Sequence, residues 1–228
     1  QLADRLGVMV IDEVPACTLD VRAHRDALKR AHKSSLAAMI ARDRHHPCVI
    51  VWSVANEPRT QYEEAGPYFQ EIYDYVRSLD DTRPTVLVDC HGALGSGEVS
   101  YTQGIFDLEC INRYHGWYTE SGRLEEAVEA LSRELDAWHE RTGKPVVLTE
   151  FGADAVAGLH TTWDEQFTEE YQADLVRRTI EVAESKPFVV GTHVWNFADF
   201  ATAQEVRRVV GNRKGVFTRE RQPKLAAH

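Results

Sequence analysis

Two stretches of this chain end an apolar run on a glutamate. One is Val49-Ile-Val-Trp-Ser-Val-Ala-Asn-Glu-Pro58, the other Pro145-Val-Val-Leu-Thr-Glu-Phe-Gly152. An apolar, β-branched run without polar alternation reads as a parallel strand buried on both faces. Pro58, which has no backbone donor, ends the first of them. In barrels and open α/β sheets, the C-terminal ends of such strands carry the chemistry. A single Glu there is more simply a loop residue or an arginine partner. Two in the same setting, Glu57 and Glu150, suit glycoside hydrolysis. In that reaction one carboxyl of raised pKa protonates the leaving oxygen. The other attacks the anomeric carbon or activates water, and a retaining mechanism places the pair ~5 Å apart. Asp12 and Glu13 end another apolar run, Val8–Glu13, and are read as a third acid or, more simply, as residues that orient neighbours.

The elements that must position these groups alternate. Gln1–Gly7 reads as a helix end with a glycine stop. Strands are predicted over Val8–Glu13, Val49–Val54, Thr85–Asp89, Phe106–Ile111, Val146–Thr149 and Phe188–Trp195. Helices are predicted over Val21–Ala41, along the stripe Phe69, Ile72, Val76 and Leu79, along Leu124, Ala127, Val128, Leu131, Leu135 and Trp138 up to Gly143, and over Glu165–Glu184. His91-Gly-Ala-Leu-Gly-Ser-Gly97 reads as a flexible strand-to-helix loop, since it does not open a nucleotide-binding unit. Strand–helix alternation predicts an α/β fold with a parallel sheet. The strands are six of an open doubly wound sheet or six of the eight in a (β/α)₈ TIM barrel. The helix-tail start favours a barrel that lacks its first two strands here, all within one domain spanning 1–228.

Composition narrows the classes. The chain has 228 residues, 43% of them hydrophobic and 27% charged, which suits one globular domain. A net charge of -10 disfavours nucleic acid and anionic membrane as partners, and no apolar run approaches the ~20 residues of a membrane span. Cys17, Cys48, Cys90 and Cys110 form no C-x-x-C pair. Cys48 and Cys110 sit in or beside apolar strands as expected buried thiols, which fits a reducing, cytoplasmic setting. The chain begins at Gln1 without an initiator Met, so an upstream signal peptide is left open. The ten histidines, His45 and His46 among them, show no metal-binding spacing, so neither metal nor cofactor is expected.

Further residues carry a family resemblance. Val51–Pro58 and Leu148–Gly152 resemble the acid/base and nucleophile signatures of retaining β-glycosidases of glycoside hydrolase family 2. Asn112-Arg-Tyr-His-Gly-Trp-Tyr118, Ala157–His160, Val194–Phe200 and Gly211-Asn-Arg-Lys-Gly-Val-Phe-Thr-Arg219 narrow the likeness to the β-glucuronidases, over essentially the whole chain. The resemblance implies a catalytic (β/α)₈ barrel. It makes Glu57 the general acid/base, Glu150 the nucleophile and Asn56 the partner of the sugar 2-hydroxyl. Tyr114, Tyr118 and Trp195 would line the site, and Arg208, Asn212 and Lys214 would hold the glucuronate acid. Choosing glucuronate over glucose needs a cation and a donor on the pocket floor, worth ~1.5–3 kcal/mol when charge-assisted. The run Arg207, Arg208, Arg213, Lys214, Arg219, Arg221 and Lys224 supplies cations, although it also reads as a solvated or phosphate-binding basic tail.

The chain departs from the family in places. The resemblance implies sugar-binding and immunoglobulin-like domains upstream of the barrel, and these are expected to lie outside residues 1–228. His115 stands where many members carry an aromatic. The segment Pro15–Ala23 is short where some members have a loop for small aglycones. Expected partners are a β-glucuronide and further copies of the chain. The alternatives are a related β-galactosidase or galacturonidase, and an inactive barrel that serves oligomerisation or carbohydrate binding.

Overall fold

The computed structural model describes residues 1–23, 25–206 and 208–228, with only the backbone of Arg25. His24, within the predicted second helix, and Arg207, in the basic run, lie outside the described residues. The order of elements is α1 (Leu2–Leu6), β1 (Val10–Glu13), α2 (Arg25–Asp43), β2 (Val49–Asn56), α3 (Ala65–Leu79), β3 (Thr85–Asp89), β4 (Glu109–Asn112), α4 (Leu124–Thr142), β5 (Val146–Phe151), α5 (Glu169–Glu184) and β6 (Val189–Val194), with a 3₁₀ turn at Leu225–Ala227. The α/β alternation read from the sequence is therefore present, with all six strands.

Boundaries differ where side chains compete for the backbone. Helix α5 starts at Glu169 because Thr168, extended at φ -84° and ψ 157°, accepts from the Tyr171 N–H at 3.2 Å as an N-cap. Residue Asp107 lies in the predicted fourth strand. It instead accepts from the Thr85 N–H (2.7 Å) and the Tyr73 hydroxyl (2.9 Å), and β4 begins only at Glu109. The Gly-rich segment after β3 leads to no helix; β4 is the next element. Its turns are pinned by Asp89, which accepts from the His91 N–H (2.8 Å), Thr60 Oγ1 (2.9 Å), Ser100 Oγ (2.5 Å) and Thr102 Oγ1 (3.2 Å). A loop that spends its polar groups on one carboxylate has no need of helical hydrogen bonds.

By compactness the chain divides into two units. The first comprises 1–111 and 138–146. In it β1, β2, β3 and β4 pair in that order, all parallel. Its core is built from Leu36, Ile40, Trp52, Val54, Phe69, Ile72, Val76 and Phe106. Here the α3 stripe, spaced at three and four residues, joins the apolar side chains of β2 in one cluster and packs against α2 and β3. The second unit comprises 112–137 and 147–228. Its core holds Trp117, Leu124, Ala153, Tyr171 and Leu175. Strands β1 and β6 are only part-buried, against the fully buried pattern of β3. Cys110 is buried, whereas Cys48, expected to be buried, is half-buried; no disulfide joins the described cysteines. No helix of the described residues is long and apolar enough to cross a membrane.

Ile72 has no solvent exposure. Replacing it with Ala should lower unfolding free energy in urea by about 2–5 kcal/mol through lost burial and a residual cavity. A loss below about 1 kcal/mol would contradict this packing.

Candidate active site

In the first unit, β2 delivers Asn56 and Glu57. The Asn56 N–H donates to Ala16 O (3.0 Å) and the Thr18 N–H to Asn56 O (2.9 Å), so the 14–18 segment continues the sheet past β1. On the other side the Glu57 N–H donates to Val88 O at 2.8 Å. Glu57 adopts φ 48°, a left-handed conformation unusual for a residue with a Cβ. Gripped from both neighbours, the strand end turns its glutamate out of the ladder. Asn56 Nδ2 lies 3.7 Å from Cys17 Sγ. At the end of β1, Glu13 accepts from Ser53 Oγ at 2.7 Å. Loss of hydrating water pushes the Glu13 carboxyl above its ordinary range; the Ser53 bond opposes this and the Glu57 charge reinforces it. Asp12 is raised to about 6, first by burial and then by its contact with Asp43.

In the second unit, β5 carries Glu150. Its backbone carbonyl accepts from the Arg113 N–H at 2.9 Å, and its Oε2 accepts from the Tyr114 hydroxyl at 2.6 Å. The turn after β5 needs glycine: Gly152 has φ 151°, and a Cβ there would sit 2.5 Å from Trp195 O. That approach lets the Trp195 N–H donate to Phe151 O at 2.8 Å. The Trp195 ring stacks edge-on against Phe200, and its peptide bond to Asn196 is cis.

The three proposed acid-binding residues converge in the same unit. The Lys214 side chain has 0% exposure and its ammonium pairs with Asp154, itself 3% exposed. Aromatic faces of Trp117, Tyr118 and Tyr114 lie 4.6, 5.0 and 5.7 Å from Lys214 Nζ, a cation–π cage. Arg208 donates to the Tyr118 hydroxyl at 2.6 Å and lies 3.8 Å from Asp154. Buried Asn212 accepts from the Lys214 N–H at 3.0 Å through Oδ1, so its carboxamide shapes the turn that presents the lysine. Gly211, at φ 150°, lies against Phe200 O, where a Cβ would approach to 2.6 Å. Tyr114, Tyr118, Glu150, Arg208, Asn212 and Lys214 thus form one constellation. Asn56 and Glu57 belong to the first unit.

Beneath the tyrosines, Glu134 of α4 is 1% exposed and accepts from Arg113 Nε and from His115 Nε2 (2.8 Å). Burial would raise Glu134; the His115 and Arg113 partners outweigh it and hold the carboxyl at about 2. Asp154 and Glu134 were not singled out from the sequence. Asp154 follows the Glu-Phe-Gly signature closely, but nothing in its own spacing marks it as a lysine partner. The basic tail is also not simply solvated. Lys224 is buried, donating to Asp199 Oδ1 (2.8 Å), Ala155 O (2.8 Å) and Arg213 O (2.9 Å). Arg219 and Arg221 are exposed. Among the described residues no cluster of three His, Cys, Asp or Glu side chains could hold a metal ion.

Residues 1–228 match the family model of the glycosyl hydrolases family 2 TIM barrel domain, and the chain belongs to that family. Its relatives narrow the likeness to β-glucuronidases. It is 44% identical to a β-glucuronidase of Paenibacillus borealis, over 100% of this chain and 39% of the relative. It is 38% identical to human β-glucuronidase, over 100% and 35%. Among solved structures, β-D-glucuronidase of Dictyoglomus thermophilum is 43% identical with TM-score 0.92, covering 100% of this chain and 40% of that one. Bifidobacterium dentium β-glucuronidase complexed with coumarin-3-O-glucuronide is similar at 43% and 0.92, covering 100% and 37%. The chain spans about two fifths of the length of these relatives.

Gly152→Ala should lower the melting temperature, since the new Cβ meets a carbonyl oxygen at an unfavourable φ, at a cost of about 1–3 kcal/mol. An unchanged melting temperature would contradict the close approach of Gly152 to Trp195.

Proposed function

We propose that this chain is the catalytic barrel of a retaining β-glucuronidase. In this reading residues 1–228 are one catalytic domain, and its strands are six of the eight in a (β/α)₈ barrel. The observation that carries it is the buried Lys214, flanked by Arg208 and Tyr118 in the unit that holds Glu150. A neutral sugar gives no reason to gather two cations in a largely buried site of a chain with net charge -10; a sugar with a carboxylate does. The names of the relatives support the same substrate class.

The chemistry follows from two carboxyls. Glu150, ionised, attacks the anomeric carbon while Glu57 gives its proton to the glycosidic oxygen, and the aglycone leaves as the alcohol. A glycosyl ester on Glu150 results. Glu57, now a base, takes a proton from water; the oxygen adds to the anomeric carbon and Glu150 is released. The Tyr114 hydroxyl, donating to Oε2 of Glu150, steadies the leaving carboxylate in the second step. Asn56 holds the 2-hydroxyl, a contact that strengthens as positive charge grows on the ring. Lys214 and Arg208 bind the uronate carboxylate through charge-assisted contacts.

With the whole protein and a chromogenic β-glucuronide, Glu57→Gln should lower kcat by about 10²–10⁴-fold and Glu150→Gln by at least as much. The first-formed sugar seen by NMR should be the β-anomer. Arg208→Ala, milder than removing buried Lys214, should lower kcat/KM for the glucuronide by roughly 10–150-fold, the equivalent of 1.5–3 kcal/mol. The matching galactoside should be unaffected. Full activity in either glutamate variant would overturn the assignment. Preference for the galactoside would move the chain to a related β-galactosidase. A folded protein inert to both would leave a carbohydrate-binding or oligomerisation module.

A further inference from the structure

His115 stands between two carboxylates. Its Nδ1 is 2.8 Å from Glu120 Oε2 and its Nε2 is 2.8 Å from Glu134 Oε2. A neutral imidazole carries one N–H and so can donate to only one of them; the other nitrogen would turn its lone pair toward an anion. Only the imidazolium satisfies both. The polar groups that face this pair from neighbouring elements are the Thr119 hydroxyl, 3.2 Å from Nδ1, Arg113 on Glu134, and Arg123, whose charge acts on Glu120. Burial alone would favour the neutral ring, but the bonds and charges of Glu134 and Glu120 outweigh it and lift His115 above the ordinary histidine range.

The two carboxylates differ in what they keep. Glu134 is 1% exposed and retains Arg113 when the histidine is neutral. Glu120 is 26% exposed and can be hydrated instead. Its backbone also adopts φ 46°, so the turn that contains it is held by contacts rather than by local preference. The released end is therefore Thr119–Glu120, which directly follows Tyr118. The Tyr114 end stays anchored, because the Arg113 N–H remains on the carbonyl of Glu150.

We propose that His115 is a positioning residue: as an imidazolium bridging Glu120 and Glu134, it holds Tyr118 against Arg208, and its loss of a proton loosens the uronate clamp while leaving Glu150 in place. The sign follows from the raised pKa. The bridge is complete below the ordinary histidine range and is lost as pH rises through the higher value of the folded protein. The inference rests on the reading of Arg208 as a carboxylate-binding residue.

The test is the pH dependence of kcat and KM for a chromogenic β-glucuronide with the full-length protein. In the wild type, KM should rise by about three- to tenfold through the alkaline titration of His115 while kcat changes by less than about twofold, because only ground-state and transition-state binding of the acid group is lost uniformly. His115→Phe keeps the Glu134–Arg113 pair; its KM should be raised at low pH and flat across that range. Glu120→Gln, a surface change, should move the midpoint to lower pH. A wild-type KM that is flat with pH would overturn the proposal. So would a His115→Phe enzyme that keeps the alkaline rise in KM. A protein that hydrolyses no glucuronide would refute the functional reading instead. The bridge would then be judged by NMR alone: the imidazole ¹⁵N signals of His115 and the ring signals of Tyr118 should share one midpoint, and separate midpoints would overturn it.

Discussion

A lysine with no exposed side-chain surface must be held by a partner, because an isolated buried ammonium costs several kcal/mol. In this chain the partner is Asp154, and much of the second unit is arranged around that pair. The three aromatic faces on Lys214 Nζ come from Tyr114, Trp117 and Tyr118, all on one loop. The same loop donates to Glu150 through Tyr114 and meets Arg208 through Tyr118. The lysine that would recognise the sugar acid and the carboxylate that would attack the sugar therefore share their supports. Breaking such a pair from one side leaves an uncompensated charge, so its members are tied together energetically as well as functionally.

The loop is in turn held from below and behind. Arg113 and His115 bracket the tyrosine at 114, and both reach Glu134 on α4. The Tyr171 hydroxyl donates to Gly116 O, and Gly116 lies where a Cβ would come within 2.8 Å of Leu175. The placement of Tyr114 and Tyr118 thus rests on side chains of α4 and α5 as well as on their own loop. A site whose supporting groups are packed and satisfied costs little reorganisation when charge develops.

The strands were legible in the sequence because buried parallel strands advertise themselves as unbroken apolar runs. Glu57 directly precedes Pro58, and Glu150 stands two residues before Gly152, where the pattern visibly stops. Asn212-x-Lys214 was legible because a short polar motif between glycines near a strand is unusual. Asp154 and Glu134 were not, for a common reason: an acid in a helix or a loop looks solvated until its partner is known, and the partners Lys214, Arg113 and His115 come from other elements. The burial of Lys224 was hidden for the same reason, since its partners Asp199, Ala155 and Arg213 lie elsewhere in the sequence. The segment after β3 misled in a different way. Its glycines suggested a loop leading to a helix, whereas one carboxylate, Asp89, collects its hydrogen bonds and no helix forms.

The structure gives Glu150, the proposed nucleophile, a hydroxyl donor in Tyr114, and the same unit holds the pair proposed to bind the sugar acid, Lys214 and Arg208. Trapping tests this most directly. The whole protein would be treated with a β-glucuronosyl fluoride bearing fluorine at C2, which slows hydrolysis of the ester, and with the matching glucosyl reagent; digestion and mass spectrometry would then locate the label. The expected result is a uronosyl adduct on the peptide containing Glu150, formed much faster than the glucosyl adduct. A label on Glu57, or equal rates for the two sugars, would contradict it.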